Sequence, residues 1–181
     1  MNKKELRKFW IEELKITQMP SAQDVKKILC NNPLIEKSDN IFAYIPFKTE
    51  INIKDSIEEL LKTKNVFLPI CFKERILKFC QIDQQWKDNL ERTENKTLIP
   101  KNREITPLEK IKGLTIILIP GLAFNKEKYR LGRGGGYYDT LLEKLKDNSN
   151  FYSVGLCMEK QVITDFSPDS FDRPVDELII I

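Results

Sequence analysis

Histidine is absent from all 181 residues of the sequence. That absence excludes Ser-His and Cys-His nucleophile pairs and zinc sites that use imidazole. It also removes the side chain that most often acts as a general base near pH 7. Any chemistry must therefore use carboxylates, lysine, arginine, tyrosine, backbone amides or a bound ion.

Paired cysteines and long apolar runs are missing too. The four cysteines show no CxxC spacing and lie within or beside apolar stretches, at Cys30, Cys71, Cys80 and Cys157. We interpret them as reduced core thiols rather than as a zinc or disulfide framework. The longest apolar stretch, Leu114–Phe124, is about half of what a membrane-spanning helix needs, and no signal-peptide pattern opens the chain. We therefore expect a cytoplasmic protein with no membrane partner.

The chain has little surplus charge of either sign. Its 30 basic and 27 acidic residues give a formal net charge of +3. A strong nucleic-acid binder usually has a larger surplus or a basic block, so we expect no nucleic-acid partner. The length and the 41% apolar content suit one globular domain over residues 1–181, which we expect to be monomeric.

Apolar periodicity predicts an α/β fold. Helices are predicted over Asn2–Ile16, Ala22–Cys30 with Ser21 as its cap, Lys54–Lys62 and Gly136–Lys146. Strands are predicted over Ile41–Pro46, Val66–Ile70, Arg75–Ile82, Leu114–Ile119, Phe151–Cys157 and Glu177–Ile181. The polar segment Glu91–Lys112 is predicted to be an extended surface loop. Alternating strands and helices indicate a single Rossmann-like, three-layer domain, whose mainly parallel sheet is flanked by helices.

Glycine is scarce, but four of the seven glycines lie within Gly132–Gly136. They belong to the segment Arg130–Asp139, which reads RLGRGGGYYD and lies between a predicted buried strand and an amphipathic helix. Each glycine costs about 0.5–1 kcal/mol in ordering entropy, so the cluster needs a reason. Amides at a helix start attract anions, and Arg130 and Arg133 add guanidinium groups that suit phosphate. We interpret the segment as a phosphate-binding loop; the alternative is a structural turn.

The spacing of the glycines excludes the two commonest nucleotide motifs. The Walker pattern requires Gly-Lys-Ser/Thr, which is missing, and GxGxxG would require glycine where Tyr137 stands. Asp139 places a carboxylate in the first turn of the helix, beside the expected polyphosphate. Two anions so placed repel each other unless Mg²⁺ lies between them. The alternative role for Asp139 is to complement the helix dipole.

The run Ile119–Asp139, IPGLAFNKEKYRLGRGGGYYD, resembles the signature of the 5-formyltetrahydrofolate cyclo-ligase (5,10-methenyltetrahydrofolate synthetase) family. That signature has a strand ending in Pro-Gly, then Ala/Gly-Phe-Asp, then RLGRGxGYYD. The family's further landmarks are also present in the expected order along the chain, before and after this run. They are Lys3, Arg7, Ile41–Glu50, Val175 and Asp176. Two positions depart from the pattern: Asn125 stands where the family often has aspartate, and Gly135 where some members have lysine.

The resemblance implies a site for two substrates, ATP and a reduced folate. ATP would contact Lys3, Arg7, Arg130, Leu131, Gly132, Arg133, Gly134, Gly135, Gly136, Tyr137 and Tyr138. The folate would contact Ile45, Glu50, Arg133, Gly134, Gly135, Gly136 and Tyr137. Mg²⁺ would be held by Asp139 and Asp176, and the catalytic residues would be Arg130 and Arg133.

Several of these assignments have plainer alternatives. Lys3 and Arg7 lie one helical turn apart and could form a solvated basic face. Glu50 could be an ordinary surface acid, and Tyr138 could belong to the apolar core of its helix. Asp176 precedes a predicted strand, whereas ligands of doubly wound sheets bind at the carboxyl ends of strands.

The resemblance also implies a reaction. The formyl oxygen of 5-formyltetrahydrofolate would attack the γ-phosphate of Mg-ATP to give an iminophosphate. Ring closure would then yield 5,10-methenyltetrahydrofolate, ADP and phosphate without a protein nucleophile. Two other functions suit the loop on chemistry alone. They are an RNA-binding module, which the low net charge disfavours, and a small-molecule kinase of another α/β family.

Overall fold

The computed structural model describes residues 1–94, 97–164 and 166–181. The helices are α1 Lys3–Ile16, α2 Ala22–Cys30, α3 Pro33–Lys37, α4 Lys54–Leu60 and α5 Tyr137–Leu145. The strands of the first half are β1 Asn40–Phe42, β2 Asn65–Cys71, β3 Leu77–Ile82, β4 Leu90–Arg92, β5 Leu98–Pro100 and β6 Ile105–Thr106. Those of the second half are β7 Thr115–Pro120, β8 Ala123–Asn125, β9 Arg130–Leu131, β10 Phe151–Cys157, β11 Val162–Ile163 and β12 Glu177–Ile180.

The central sheet has seven strands in the order β12-β10-β7-β1-β2-β3-β6. The first five of these run parallel to one another, whereas β3 is antiparallel to both of its neighbours, β2 and β6. Two small sheets, β11-β8-β9 and β4-β5, complete the strands. The prediction of a mainly parallel α/β fold is confirmed.

Strand β7 shows how the sheet is covered on both faces. Its side chains alternate between two apolar clusters, because successive residues of a strand point to opposite faces. Ile116 and Leu118 pack in the cluster that contains residues of α2 and α4. Ile117 and Ile119 pack in the cluster that contains Leu141, Leu142 and Leu145 of α5. The sheet is therefore the middle of three layers, as predicted.

Helix α1 packs on the small sheet β11-β8-β9. It begins with a capping box, in which the Asn2 side chain accepts from the Glu5 amide and the Glu5 carboxylate accepts from the Asn2 amide. Its buried stripe shares a cluster with residues of β8 and β9, and the stripe consists of Leu6, Trp10 and Leu14. This packing holds α1 beside β9, the strand that leads into the glycine loop.

The predictions were wrong for several short elements. The segment Glu91–Lys112, of which the structure describes all but residues 95 and 96, is not an extended loop. It contains most of β4, strands β5 and β6 and a 3₁₀ turn at Leu108–Lys110. The strand predicted over Ile41–Pro46 ends at Phe42. Helix α3 and strands β8, β9 and β11 were not predicted. All of these elements are between two and five residues long.

The four cysteines are free thiols. Cys80 and Cys157 are buried, as expected of core residues, but Cys71 is exposed at the end of β2, so the core interpretation was wrong there. In the described ranges, no helix is both long and apolar enough to cross a membrane.

Candidate active site

A cleft of about 980 Å³ opens at the carboxyl edge of the parallel strands. Residues at or just beyond the ends of β1, β2 and β7 line it, namely Tyr44, Ile45, Ile70, Cys71, Pro120 and Gly121. The chain runs from β1 to β2 on one side and returns to β7 on the other, so the order of the strands reverses beside β1. Open α/β sheets bind their ligands at such a switch point.

Two groups of elements complete the lining. The glycine-loop side comprises Arg7 of α1 together with Arg130, Gly132–Gly136 and the first turn of α5. The hairpin side comprises residues of the β2–β3 and β4–β5 hairpins, namely Ile70, Cys71, Arg75, Leu77, Thr93, Thr97, Leu98 and Ile99. The structure thus brings most of the predicted loop to one cavity, large enough for a drug-sized ligand.

Gly136 forms the start of α5. Its φ of 69° lies in the left-handed region, which glycine adopts without strain, and no side chain of the described residues caps the helix there. The first N–H groups of a helix have no intrahelical acceptor. Because the residues of this turn line the cleft, those donors and the positive end of the helix dipole can serve an anion.

Arg130 lies across Gly132 and forms an ion pair with Asp139. Its Nη2 is 3.1 Å from Asp139 Oδ2, and the two side chains are only 7% and 16% exposed. A Cβ atom at Gly132 would lie 2.1 Å from Arg130 Nη1, so any other residue there would displace the Arg130 guanidinium from this position. The Arg130 Nε is buried with no hydrogen-bond partner among the described residues. The site therefore contains a fixed, buried cation with an unused donor.

Arg133 joins the loop to the residues after β1. Its Nε is 3.2 Å from Glu50 Oε1, and its Nη2 donates to Thr49 Oγ1 at 2.5 Å. The guanidinium also lies 4.6 Å from the centroid of the Phe47 ring. Glu50 is only 8% exposed and accepts from the Phe47 amide as well, so it is not an ordinary surface acid. A carboxylate has about four lone-pair sites, so Glu50 keeps acceptor capacity for a ligand.

Three tyrosines line the cleft beside these groups: Tyr44, Tyr137 and Tyr138. Tyr44 donates its hydroxyl to Ile51 O at 2.9 Å. Burial, with a further contribution from Glu50, raises the pKa of both the Tyr44 and the Tyr138 phenols. Tyr137 and Tyr138 also pack against the apolar cluster of α5. Tyr138 therefore contributes to the core, as its plainer alternative predicted, and also lines the cleft; its contact with ATP stays a prediction.

The two cations of α1 occupy different positions. Arg7 lines the cleft and donates from Nε to Gly132 O at 3.0 Å. Lys3 is not among the lining residues; its Nζ lies 2.9 Å from Asp169 Oδ2 and also contacts Asp172. Partial burial acts to lower the pKa of Lys3, but the hydrogen bonds to Asp172 and Asp169 raise it overall. Lys3 reaches the cleft only through these aspartates, which do line it.

Two other predicted residues lie outside the lining. Leu131 is buried in the cluster formed with α1, so only its backbone is near the loop. Asp176 precedes β12, and its Oδ2 accepts from the amide and the hydroxyl of Ser153 at 2.7 and 2.6 Å. That position is away from the carboxyl ends of the strands where the cleft opens. The metal role of Asp176 stays a prediction.

The carboxylates of the cleft suit a metal ion only in combination with a ligand. Across residues 1–94, 97–164 and 166–181, no group of three or more acidic or cysteine side chains could hold one. Asp139 is engaged by Arg130 through Oδ2, and its Oδ1 accepts from the Arg173 amide at 3.4 Å. Mg²⁺ is usually bound by one or two carboxylates plus substrate phosphates. The donor set therefore fits a magnesium ion bound mainly by phosphate.

Several cleft residues were not predicted from the sequence. Arg75 belongs to the turn between β2 and β3, and no motif surrounds it. The segment Asp169–Arg173 also lines the cleft, and the Arg173 Nε is 2.5 Å from Glu143 Oε2. Other lining residues did have a usable signal, since Tyr44 and Phe47 lie within the Ile41–Glu50 landmark.

Comparisons with known proteins agree with this geometry. The model of the "5-formyltetrahydrofolate cyclo-ligase family" matches residues 2–181. The 5-formyltetrahydrofolate cyclo-ligase of Haemophilus influenzae is 30% identical over 181 residues, which cover 97% of this chain and 94% of that protein. The 5,10-methenyltetrahydrofolate synthetase structure from Aquifex aeolicus has a TM-score of 0.79 and 28% identity, covering 99% of this chain and 90% of that one. The corresponding structure from Mycoplasma pneumoniae has a TM-score of 0.71 and 25% identity, covering 99% and 98%.

Proposed function

Because the chain belongs to the 5-formyltetrahydrofolate cyclo-ligase family and is an enzyme, we propose that it cyclises 5-formyltetrahydrofolate to 5,10-methenyltetrahydrofolate at the expense of ATP. The observation that carries the proposal is the Arg133–Glu50 pair. It joins a phosphate-binding loop to a nearly buried carboxylate within one cleft. A cleft of about 980 Å³ has room for parts of two ligands.

ATP is proposed to bind on the glycine-loop side. The amides of Gly132–Gly136 and the start of α5 offer neutral donors, and Arg7, Arg130 and Arg133 offer charged ones. Hydrogen bonds from arginine to phosphate are about twice as strong as neutral ones. The buried Arg130 is held by Asp139 and needs no reorganisation to act on developing charge. Lys3 would take part only if the nucleotide displaced Asp169 and Asp172 from its ammonium group.

The folate is proposed to bind where Glu50 and Ile45 line the cleft. A pterin ring presents N–H donors, and the Glu50 carboxylate can accept them in a nearly buried setting. Tyr137 offers a flat, amphipathic surface for a ring to stack on. Arg133 lies between this region and the loop, so it can contact both substrates. The glycines from 134 to 136 allow the two ligands to approach each other closely.

Magnesium is proposed to enter with the nucleotide. Bound to the phosphates, it would neutralise charge on the group being transferred. Asp139 is the residue that could hold it, because it lies in the first turn of α5 and lines the cleft. Asp176 would have to release Ser153 to contribute.

The proposed reaction has two steps. The formyl oxygen attacks the γ-phosphorus of ATP, so that an O–P bond forms and the bond to the β-phosphate oxygen of ADP breaks. The N10 nitrogen of the folate then attacks the activated formyl carbon. The oxygen leaves with the phosphate, and the departing phosphate accepts the N10 proton. Arg130 and Arg133 align the reacting groups and stabilise the charge on the phosphoryl group, and no histidine or protein nucleophile is required.

The chain is proposed to work as a cytoplasmic monomer on small molecules alone. The low net charge of +3 supports the lack of a nucleic-acid partner. Size-exclusion chromatography with light scattering tests whether the protein is a monomer. Its retention on RNA at low salt tests whether it has a nucleic-acid partner.

One assay tests the function directly. The purified protein is incubated with 5-formyltetrahydrofolate and Mg-ATP, and the near-ultraviolet absorbance band of the methenyl product is followed. We expect product to form with one ADP released per turnover, and neither to appear when either substrate is omitted. ADP release without the band would indicate a kinase of another specificity. The absence of both, with tight RNA retention, would indicate an RNA-binding module.

A further inference from the structure

We propose that Arg75 is an additional ATP-binding residue of the cleft, which contacts the phosphates together with Arg7. The inference rests on the proposed function, because it deepens the description of the same nucleotide site. Arg75 lies in the turn between β2 and β3, far in sequence from the glycine loop. The structure, and no sequence motif, brings it to the cleft.

The first observation is the position of the Arg75 side chain over Gly136. A Cβ atom at Gly136 would lie 3.1 Å from Arg75 Cδ, 3.4 Å from Nε and 3.5 Å from Nη1. Gly136 is the uncapped residue that precedes the first turn of α5. The guanidinium therefore lies beside the backbone donors that a phosphate would use, and it adds its own donors to theirs.

The second observation is the backbone of the turn. Glu74 has a φ of 59° and Arg75 has a φ of 60°, so two consecutive residues other than glycine adopt left-handed geometry. The turn is closed by a hydrogen bond from the Phe72 amide to Ile76 O at 2.8 Å. Residues other than glycine are disfavoured in this region, and such outliers concentrate at binding and active sites. Here the outlier places a cation on the cleft.

The third observation is that Arg75 is an exposed arginine without a protein acceptor in the described ranges. The other arginines of the cleft each have one: Gly132 O for Arg7, Asp139 for Arg130, Glu50 for Arg133 and Glu143 for Arg173. An incoming anion does not have to displace a carboxylate from Arg75. The exposed guanidinium is therefore free to form a new charge-assisted hydrogen bond.

The spacing of Arg75 and Arg7 favours a triphosphate. Arg7 Nε lies 3.8 Å from where a Cβ atom of Gly134 would be, whereas Arg75 is close to Gly136. Two residues of chain span at most about 7 Å. A triphosphate carries anionic oxygens over a comparable length, so it can contact both guanidinium groups and the amides between them. The glutamate end of a folate carries two carboxylates, which are the alternative anions for these two guanidinium groups, and the variants below distinguish them from the triphosphate.

Three variants test the proposal. Arg75→Ala removes the guanidinium, Arg75→Lys keeps the charge, and Lys73→Ala removes the same charge from the same turn at a residue that does not line the cleft. The affinity for ADP and for a non-hydrolysable ATP analogue is measured by isothermal titration, and KM is measured for both substrates. We expect Arg75→Ala to weaken the binding of ADP and of the ATP analogue, and to raise KM for ATP, each by about tenfold. Arg75→Lys should lie between this variant and wild type.

The control has a defined outcome as well. Lys73→Ala should bind nucleotide within about twofold of wild type, and KM for 5-formyltetrahydrofolate should be unchanged in every variant. Equal nucleotide affinities for Arg75→Ala and Lys73→Ala would overturn the proposal. So would a rise in KM for the folate alone, which would assign Arg75 to the folate carboxylates. If wild type forms no methenyl product, the proposed function fails, yet the titration still decides the role of Arg75.

Discussion

The glycine-loop side and the hairpin side of the cleft hold positive charge in different ways. On the glycine-loop side, Arg130 is 7% exposed and is fixed by Asp139, and Arg133 is tied to Glu50. On the hairpin side, Arg75 is exposed, lacks a protein acceptor in the described ranges and lies in a strained turn. The first arrangement gives a field that is in place before the ligand arrives, and the second gives a cation that the ligand can recruit.

This difference has a consequence for catalysis. Phosphoryl transfer depends on positioning and on stabilising charge, and preorganised donors act without reorganisation at the moment of reaction. We therefore expect the glycine-loop arginines to control turnover, with the buried Arg130 controlling stability as well. We expect the hairpin residues to control nucleotide affinity with little effect on the chemical step. The predictions that follow test this division from the largest expected effect to the smallest.

Arg130→Ala should have the largest effect, on stability and activity together. It leaves the Asp139 carboxylate, only 16% exposed, without its cation. Breaking a buried ion pair costs about 3–5 kcal/mol, and we expect about 3 kcal/mol here because the pair is not fully enclosed. Urea denaturation measures the loss, and the methenyl assay should show almost no turnover. Removing Asp139 as well should restore part of the stability but not the activity. A stability within about 1 kcal/mol of wild type would contradict this account.

Arg133→Ala should lower turnover far more than it lowers the melting temperature. The Arg133 side chain is 35% exposed, so water can take its place beside Glu50, which is 8% exposed and keeps its hydrogen bond from the Phe47 amide. We therefore expect a loss of about 1 kcal/mol in stability. Loss of one preorganised donor typically costs about a hundredfold in kcat. Glu50→Gln is the matched variant from the other side of the pair, and it should raise KM for the folate more than it lowers kcat. Full activity of the Arg133→Ala enzyme would contradict the catalytic role that is proposed for the glycine loop.

Asp139→Asn and Asp176→Asn compare the two carboxylates that were assigned to magnesium. Asp139 lines the cleft, whereas Asp176 accepts two hydrogen bonds from Ser153. We expect Asp139→Asn to raise the magnesium concentration for half-maximal activity by about tenfold, equivalent to about 1.4 kcal/mol of binding free energy. Asp176→Asn should mainly lower stability, by about 1 kcal/mol. Equal magnesium requirements in the two variants would indicate that Asp176 binds the metal as well as Asp139 does. Full activity in excess chelator would show that neither carboxylate has a metal role in the reaction.

The sheet and the glycine loop were predictable because their signals are local. Strand β10 was predicted at its observed bounds, and β7 within one residue, since each is a long buried run. The loop was found because four glycines stand together. The β4–β5 hairpin was missed because its strands have three residues each and β4 includes Glu91 and Arg92.

The hairpin side of the cleft could not have been predicted in the same way. Left-handed geometry at Glu74 and Arg75 leaves no signature in the sequence, since neither residue is glycine or asparagine. The approach of Arg75 to Gly136 joins distant segments and depends on how β3 packs beside α5. The direct contact between Arg133 and Glu50 likewise could not be predicted from a sequence pattern, although the resemblance placed both residues in one site.

Glu74→Gly should have the smallest effect, and it should raise the stability of the protein where the other variants lower stability or activity. A left-handed residue other than glycine costs about 1–2 kcal/mol, and glycine relieves that strain but loses about 0.5–1 kcal/mol in chain entropy. We expect a net gain of about 0.5 kcal/mol, measured by urea denaturation, with KM for ATP unchanged, because Glu74 does not line the cleft. Arg75→Gly should gain the same stability and lose nucleotide affinity. This pair of variants separates the strain of the turn from the charge that it presents. If Glu74→Gly also weakened ATP binding, the rigidity of the turn would matter as much as its guanidinium.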